Sequence, residues 1–174
     1  YLTLSWDKVS GASGYRIYRY NTDAQAYEKV ITLTSGSTVS YKITGLATAK
    51  EYQFKVRAYR KVDGVTTWGS SSAAYKDSTK PGQTKSLKAS SKSSAVTLKW
   101  NKVTRASGYQ VYRYNSKTKK YEKLATVKGN ATFSYKNTKL KKGTTVKYKV
   151  RAYKTYNGTN YYGAFSDIVS IKVK

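Results

Sequence analysis

Lys55-Val-Arg-Ala-Tyr59 returns unchanged as Lys149-Val-Arg-Ala-Tyr153, 94 positions further along the chain. The same offset carries Trp6 onto Trp100, Ala12-Ser-Gly-Tyr15 onto Ala106-Ser-Gly-Tyr109 and Tyr27-Glu-Lys29 onto Tyr121-Glu-Lys123, with no gap needed anywhere. About two fifths of the positions from Tyr1 to Lys80 match those from Ala95 to Lys174. Such a unit is far longer than the roughly 20 to 50 residues of a solenoid or propeller repeat, so the chain reads as two tandem copies of one small domain. The stretch Thr79-Lys-Pro-Gly-Gln-Thr84 holds the only proline and marks the junction. It predicts domains over 1–79 and 80–174 with a short link that leaves them limited freedom.

Within the repeated run, Val56 and Ala58 alternate with Lys55, Arg57 and Tyr59, a period of two that puts the small apolar residues on one face of a strand. Leu2, Leu4 and Trp6 alternate in the same way, as do Val96, Leu98 and Trp100, and Tyr15 and Ile17 alternate with Arg16, Tyr18 and Tyr20. Asp63-Gly64 and Asn157-Gly158 fall between alternating segments, where a two-residue hairpin turn needs positive φ. No segment sustains the 3.6-residue period of a helix. Short strands with turn signals at about ten-residue intervals predict an all-β chain of antiparallel sandwiches.

A Trp closes an early strand, Gly-Tyr opens a later one, and a Leu is followed by Val-x-Ala and Gly-x-x-Ser. The residues are Trp6, Gly14-Tyr15, Leu46, Val56-Arg-Ala58 and Gly69-Ser-Ser-Ser72, then Trp100, Gly108-Tyr109, Leu140, Val150-Arg-Ala152 and Gly163-Ala-Phe-Ser166. This order resembles the fibronectin type III domain, and implies two tandem fibronectin type III, immunoglobulin-like antiparallel β-sandwiches. The resemblance also implies a tyrosine corner at Tyr52, six residues after Leu46, and none in the second copy, where Val146 stands instead. Leu87 and Ala89 alternate ahead of Trp100 as a first strand that the first copy lacks, so the chain is read as a piece of a longer polypeptide. The lysine-rich and tyrosine-rich phrasing is similar to type III modules in secreted or wall-attached proteins of Gram-positive bacteria. That likeness implies an extracellular, secreted or cell-wall-associated setting and the role of a spacer between other domains.

Composition narrows the chemistry. The 174 residues hold 34 Lys plus Arg, 8 Asp plus Glu, and no His, Cys or Met. Thiol nucleophiles, imidazole acid–base pairs, Cys/His zinc sites and disulfide frameworks all need residues that are missing. Carboxylate pairs remain, but the second copy has only Glu122 and Asp167. Glu28 and Glu122 sit in equivalent Tyr-Glu-Lys strands, where a cross-strand Lys partner is the ordinary expectation. The chain is therefore read as non-catalytic, with no cofactor and no metal. It also lacks the roughly 18 consecutive apolar residues of a membrane-spanning helix.

Two features remain as candidate binding surfaces. Residues 1–80 carry 12 Lys plus Arg against 6 acids, a net of +6, while 81–174 carry 22 against 2, a net of +20. So steep a charge exceeds what solubility requires and opposes folding by self-repulsion, which a polyanion would relieve. An anionic cell-wall polymer or polysaccharide suits the lysine-dominated composition. Nucleic acid is the weaker fit, because bidentate phosphate recognition favours Arg. The second feature is tyrosine on outward strand positions: Arg16, Tyr18, Tyr20, Lys55, Arg57 and Tyr59, repeated as Tyr112, Tyr114, Lys149, Arg151 and Tyr153. Together with Lys141, Lys142 and Lys147, these last five are the candidate ligand-binding residues. A glycan could stack on such rings, yet cross-strand Tyr/Arg pairs that only steady the sheet account for the same pattern.

Overall fold

A computed structural model describes all residues from Tyr1 to Lys174 and divides them into two compact units, Tyr1–Thr79 and Lys80–Lys174. The regular structure is entirely β. The first unit contains β1 (Leu2–Ser5), β2 (Gly14–Asn21), β3 (Ala26–Leu33), β4 (Ser40–Ile43), β5 (Glu51–Val62), β6 (Val65–Ser71) and β7 (Tyr75–Ser78). The second contains β8 (Lys88–Lys92), β9 (Ala95–Lys99), β10 (Gly108–Asn115), β11 (Lys120–Lys128), β12 (Ser134–Asn137), β13 (Thr145–Tyr156), β14 (Thr159–Tyr162) and β15 (Val169–Lys172).

Each unit packs a small sheet against a five-stranded one. In the second unit the small sheet runs β12-β9-β8 and the large one β11-β10-β13-β14, with β15 also on β13. Tyr153 pairs with both Gly108 and Tyr162, and Tyr148 with both Arg113 and Val169, so β14 and β15 lie on the same edge of β13. They are one last strand, broken over 163–168. Ser166 bridges the break: its N–H donates to the Val150 carbonyl at 2.8 Å, and the Val150 N–H donates to its Oγ at 3.0 Å. Ser72 does the same for Val56 in the first unit, at 2.8 and 3.0 Å. The serine of Gly-x-x-Ser thus keeps the ladder satisfied where the strand stops pairing in register. Counted so, the second unit is a seven-stranded sandwich. In the first unit the small sheet consists of β1 paired to β4.

The hairpin turns behave as their sequences demand. Asp63 and Gly64 have φ of 50° and 79°, Asn157 and Gly158 of 45° and 74°, between the end pairs Val62–Val65 and Tyr156–Thr159. Val96, Leu98, Val111, Val150 and Ala152 are completely buried and form the second core with Trp100, which is 3% exposed. Leu2, Leu4, Ile17, Ile43 and Phe54 form the first. Trp6 shares the alternation that puts Trp100 in the core, but it is only half-buried. Both indoles meet the following tyrosine, with centroids at 5.4 Å for Trp6–Tyr15 and 5.3 Å for Trp100–Tyr109. An open cleft lined by Leu4, Trp6, Phe54, Val56 and Tyr75 borders the first of these pairs. The Tyr15 and Tyr109 hydroxyls accept from the Val9 and Val103 N–H groups at 2.9 and 2.8 Å, fixing the loop after each Trp.

The tyrosine corner is present in the first unit, where the Ala47 N–H donates to Tyr52 Oη at 2.8 Å. In the second unit Val146 packs against the core. There a different polar pair appears: Asn137 Nδ2 donates to Tyr148 Oη at 2.8 Å, both residues buried. Their counterparts under the repeat are Ile43 and Phe54.

Candidate functional site: the outer faces of the large sheets

Strands β10 and β13 of the second unit pair Tyr112 with Lys149 and Gln110 with Arg151. Alternation along β13 turns Lys147, Lys149 and Arg151 outward, while Tyr148, Val150 and Ala152 are buried. A register shift at Val111/Tyr112 adds a residue to β11 there, and brings Tyr121 opposite Tyr114 at 5.3 Å. The break in the last strand brings Phe165 against Tyr112, edge to face at 5.0 Å.

The cations lie between these rings. Lys149 Nζ is 4.5 Å from the Tyr121 ring centre and 4.0 Å from Phe165. The Arg151 guanidinium lies 3.9 Å over Tyr162, 5.0 Å from Phe165 and 5.3 Å from Tyr112. It is also tied in plane: Nε and Nη2 donate to Gln110 Oε1 at 3.0 and 2.9 Å, and Nη2 donates to Tyr112 Oη at 2.9 Å. Lys147 Nζ is 5.8 Å from Tyr114. Burial, then the neighbouring Tyr114, pushes the Tyr121 hydroxyl above its ordinary value.

The first unit builds the same face from other residues. Arg16 and Arg57 both lie over Trp68, at 4.2 and 5.5 Å, and Trp68 meets Tyr59 at 5.1 Å. Lys55 lies 4.7 Å over Tyr27, which meets Tyr20 at 5.3 Å and accepts a hydrogen bond from Gln53 Nε2. Such contacts each contribute about 0.5–1 kcal/mol at exposed positions. They also place the chain's own cations on the rings that a sugar would need for stacking.

The predicted residues therefore separate. Tyr112, Tyr114, Lys147, Lys149 and Arg151 share one face. Tyr153 is not an open platform: it is 9% exposed and lies across Gly108. A Cβ built on Gly108 would collide with the Val127 carbonyl oxygen and come within 2.7 Å of Tyr153 Oη, which explains the glycine of Gly-Tyr in this copy. Lys141 and Lys142 belong elsewhere. They sit in the turn before β13, where the Leu140 N–H donates to the Ser94 carbonyl and the Gly143 N–H to Val173, both at 2.9 Å. That holds them beside the β8–β9 turn of the small sheet.

The glutamates also differ from expectation. Glu28 and Glu122 face Arg19 and Arg113 across the sheet rather than lysines. Asn21 Nδ2 donates to Glu28 at 2.7 Å; Asn115 Nδ2 donates to both oxygens of Glu122 at 3.0 Å, and Thr118 Oγ1 donates at 2.7 Å. The Asn115 and Thr118 hydrogen bonds, with a smaller pull from Arg113, hold the Glu122 carboxyl below its ordinary value. Both acids staple a hairpin end. Trp68, Tyr121, Tyr162 and Phe165 complete the faces and were not singled out from the sequence. For Tyr121 a signal was there, since Tyr-Glu-Lys is among the exactly repeated runs.

Comparison with known proteins agrees with this architecture. Residues 1–73 match the family model of the fibronectin type III domain. A two-domain fibronectin type III segment of chicken tenascin superposes with a TM-score of 0.57 at 17% identity, covering 98% of this chain and 91% of that one. The FN1–FN3 domains of chicken CNTN1 give a TM-score of 0.49 at 21% identity, covering 99% and 60%. By sequence, the tRNA(Glu)-specific nuclease WapA of Bacillus subtilis subsp. natto is 27% identical over 67% of this chain, and the chain spans only 7% of that protein's length.

Proposed function

We propose that these two fibronectin type III-like sandwiches form a non-catalytic spacer and interaction module of a larger extracellular, wall-associated protein, and that the unit Lys80–Lys174 associates electrostatically with anionic wall polymer. Domains of this kind commonly space or join other domains, and they are typical of extracellular proteins. No helix is long and apolar enough to cross a membrane. The observation that carries the polymer reading is the +20 charge of residues 81–174 beside large-sheet faces whose rings are already occupied by Lys149 and Arg151. Stacking of a neutral glycan would have to displace those cations and break the Arg151–Gln110 hydrogen bonds, whereas a polyanion needs no cleft.

Titration of the intact chain with purified teichoic acid and with a neutral glucan, across a range of salt, tests the reading. Teichoic acid should bind with log affinity falling linearly in log salt, and glucan should not bind measurably. Binding of glucan that is indifferent to salt and abolished by Tyr112→Ala would replace it with the glycan-platform reading.

A further inference from the structure

Four exposed lysines of the second unit, Lys88, Lys92, Lys99 and Lys136, stand on the strands of its small sheet. Lys88 and Lys99 are directly paired across β8 and β9, and Lys99 faces Ser134 on β12. One step along, Thr97 lies between Ser90 and Lys136. Lys92 is exposed at the far end of β8, and the Leu140–Ser94 hydrogen bond brings the turn that carries Lys141 and Lys142 to that end. Neither carboxylate of the unit stands on these strands: Glu122 is on β11, and Asp167 lies in the break before β15. No aromatic side chain points outward from them either, since Tyr135 packs against the core.

Directly opposed lysines, about 4.5–5.5 Å apart at Cβ, destabilise a sheet, so this pair is a cost that the fold alone does not explain. In the first unit the place of Lys99 is taken by Ser5. There β1 and β4 present Thr3, Ser5, Ser40 and Lys42, and Lys42 Nζ lies 4.1 Å over the Tyr1 ring.

Resting on the electrostatic reading above, we infer that the outer face of the β12-β9-β8 sheet is the polymer-binding surface, and that its ligand is a flexible phosphodiester chain without bases, of the poly(glycerol phosphate) kind. Ammonium groups are compact, strongly hydrated point charges, suited to successive phosphates and not to a planar two-point clamp. Alternate residues along a strand are about 6.6 Å apart, similar in length to a phosphate–glycerol repeat, and Ser90, Thr97 and Ser134 between the lysines offer short hydroxyl donors. A flat face with no ring to stack a base does not suit single-stranded nucleic acid.

The test uses the intact chain and purified poly(glycerol phosphate) teichoic acid. The triple variant Lys88→Gln, Lys99→Gln, Lys136→Gln should lower affinity about tenfold or more at low salt and reduce the salt slope by about three. The hairpin variant Lys117→Gln, Lys119→Gln, Lys120→Gln removes the same charge and should stay within about twofold. Without polymer, Lys99→Gln alone should raise the melting temperature by relieving the Lys88 repulsion. Equal losses in the two triple variants would overturn the assignment to this face while leaving the electrostatic reading intact. No salt-sensitive binding by the native chain would overturn both. Tighter binding of a dT oligonucleotide through the same three lysines would give the face to nucleic acid and overturn the ligand assignment.

Discussion

Phe54 and Tyr148 occupy equivalent places in the two cores and differ by one oxygen. That oxygen changes what the neighbouring strand must carry. Ile43 suffices opposite Phe54, whereas Tyr148 is met by the Asn137 amide at 2.8 Å. A buried polar group that loses its partner costs about 1–3 kcal/mol, while exchanging both partners for apolar ones can be nearly neutral. Tyr148→Phe and Asn137→Ile, each alone, should therefore destabilise the second unit by about that much in urea unfolding. The double variant, which copies the first unit's pair, should recover most of the loss. The phenol also responds to pH. Burial raises its folded value above the ordinary 10.0, outweighing the hydrogen bond from Asn137. The neutral form is favoured in the folded state, so this stability is fully present below pH 10 and is lost as pH rises through the folded value. Alkaline destabilisation should accordingly be smaller in the double variant than in the native chain.

At the scale of elements, Arg151 holds the large sheet's outer face together, because it hydrogen-bonds in plane to Gln110 and Tyr112 and stacks over Tyr162. Arg151→Lys keeps the charge but loses the fork and most of the stacking; thermal unfolding should show a loss of about 1–2 kcal/mol, against little change for Lys147→Gln at the edge. The period of two and the Asp-Gly and Asn-Gly turns were enough to read the strands and the sandwich, since each is a local demand of backbone geometry; the bridging by the Gly-x-x-Ser serines was not read. Which ring meets which cation was not readable. It depends on the register shifts at Ile17/Tyr18 and Val111/Tyr112, and on a broken last strand that delivers Phe165. Alternation placed Tyr153 outward correctly, but its cover comes from the Gly108 strand alongside. The position of Lys141 and Lys142 rests on backbone hydrogen bonds from Leu140 and Gly143 to segments of distant sequence, which spacing along the chain does not encode.

At the scale of the whole molecule, two copies that share about two fifths of their residues are joined in one chain. Neighbouring domains so alike are prone to exchange equivalent strands while folding, and such misassembly is a characteristic failure of repeat proteins. The Asn137–Tyr148 pair acts against that error. If β5 took the place of β13, Phe54 would confront Asn137 and leave a buried amide with nothing to donate to; if β13 took the place of β5, the Tyr148 hydroxyl would be pressed against Ile43. Either mispaired core carries a penalty that the correct ones do not, so the oxygen by which Tyr148 differs from Phe54, with the amide that meets it, biases each strand toward its own unit. Rapid refolding from urea at high dilution, followed by native-gel separation and protease digestion, should show more protease-sensitive misassembled monomer for the Asn137→Ile, Tyr148→Phe chain than for the native one, even though the two are similarly stable once folded.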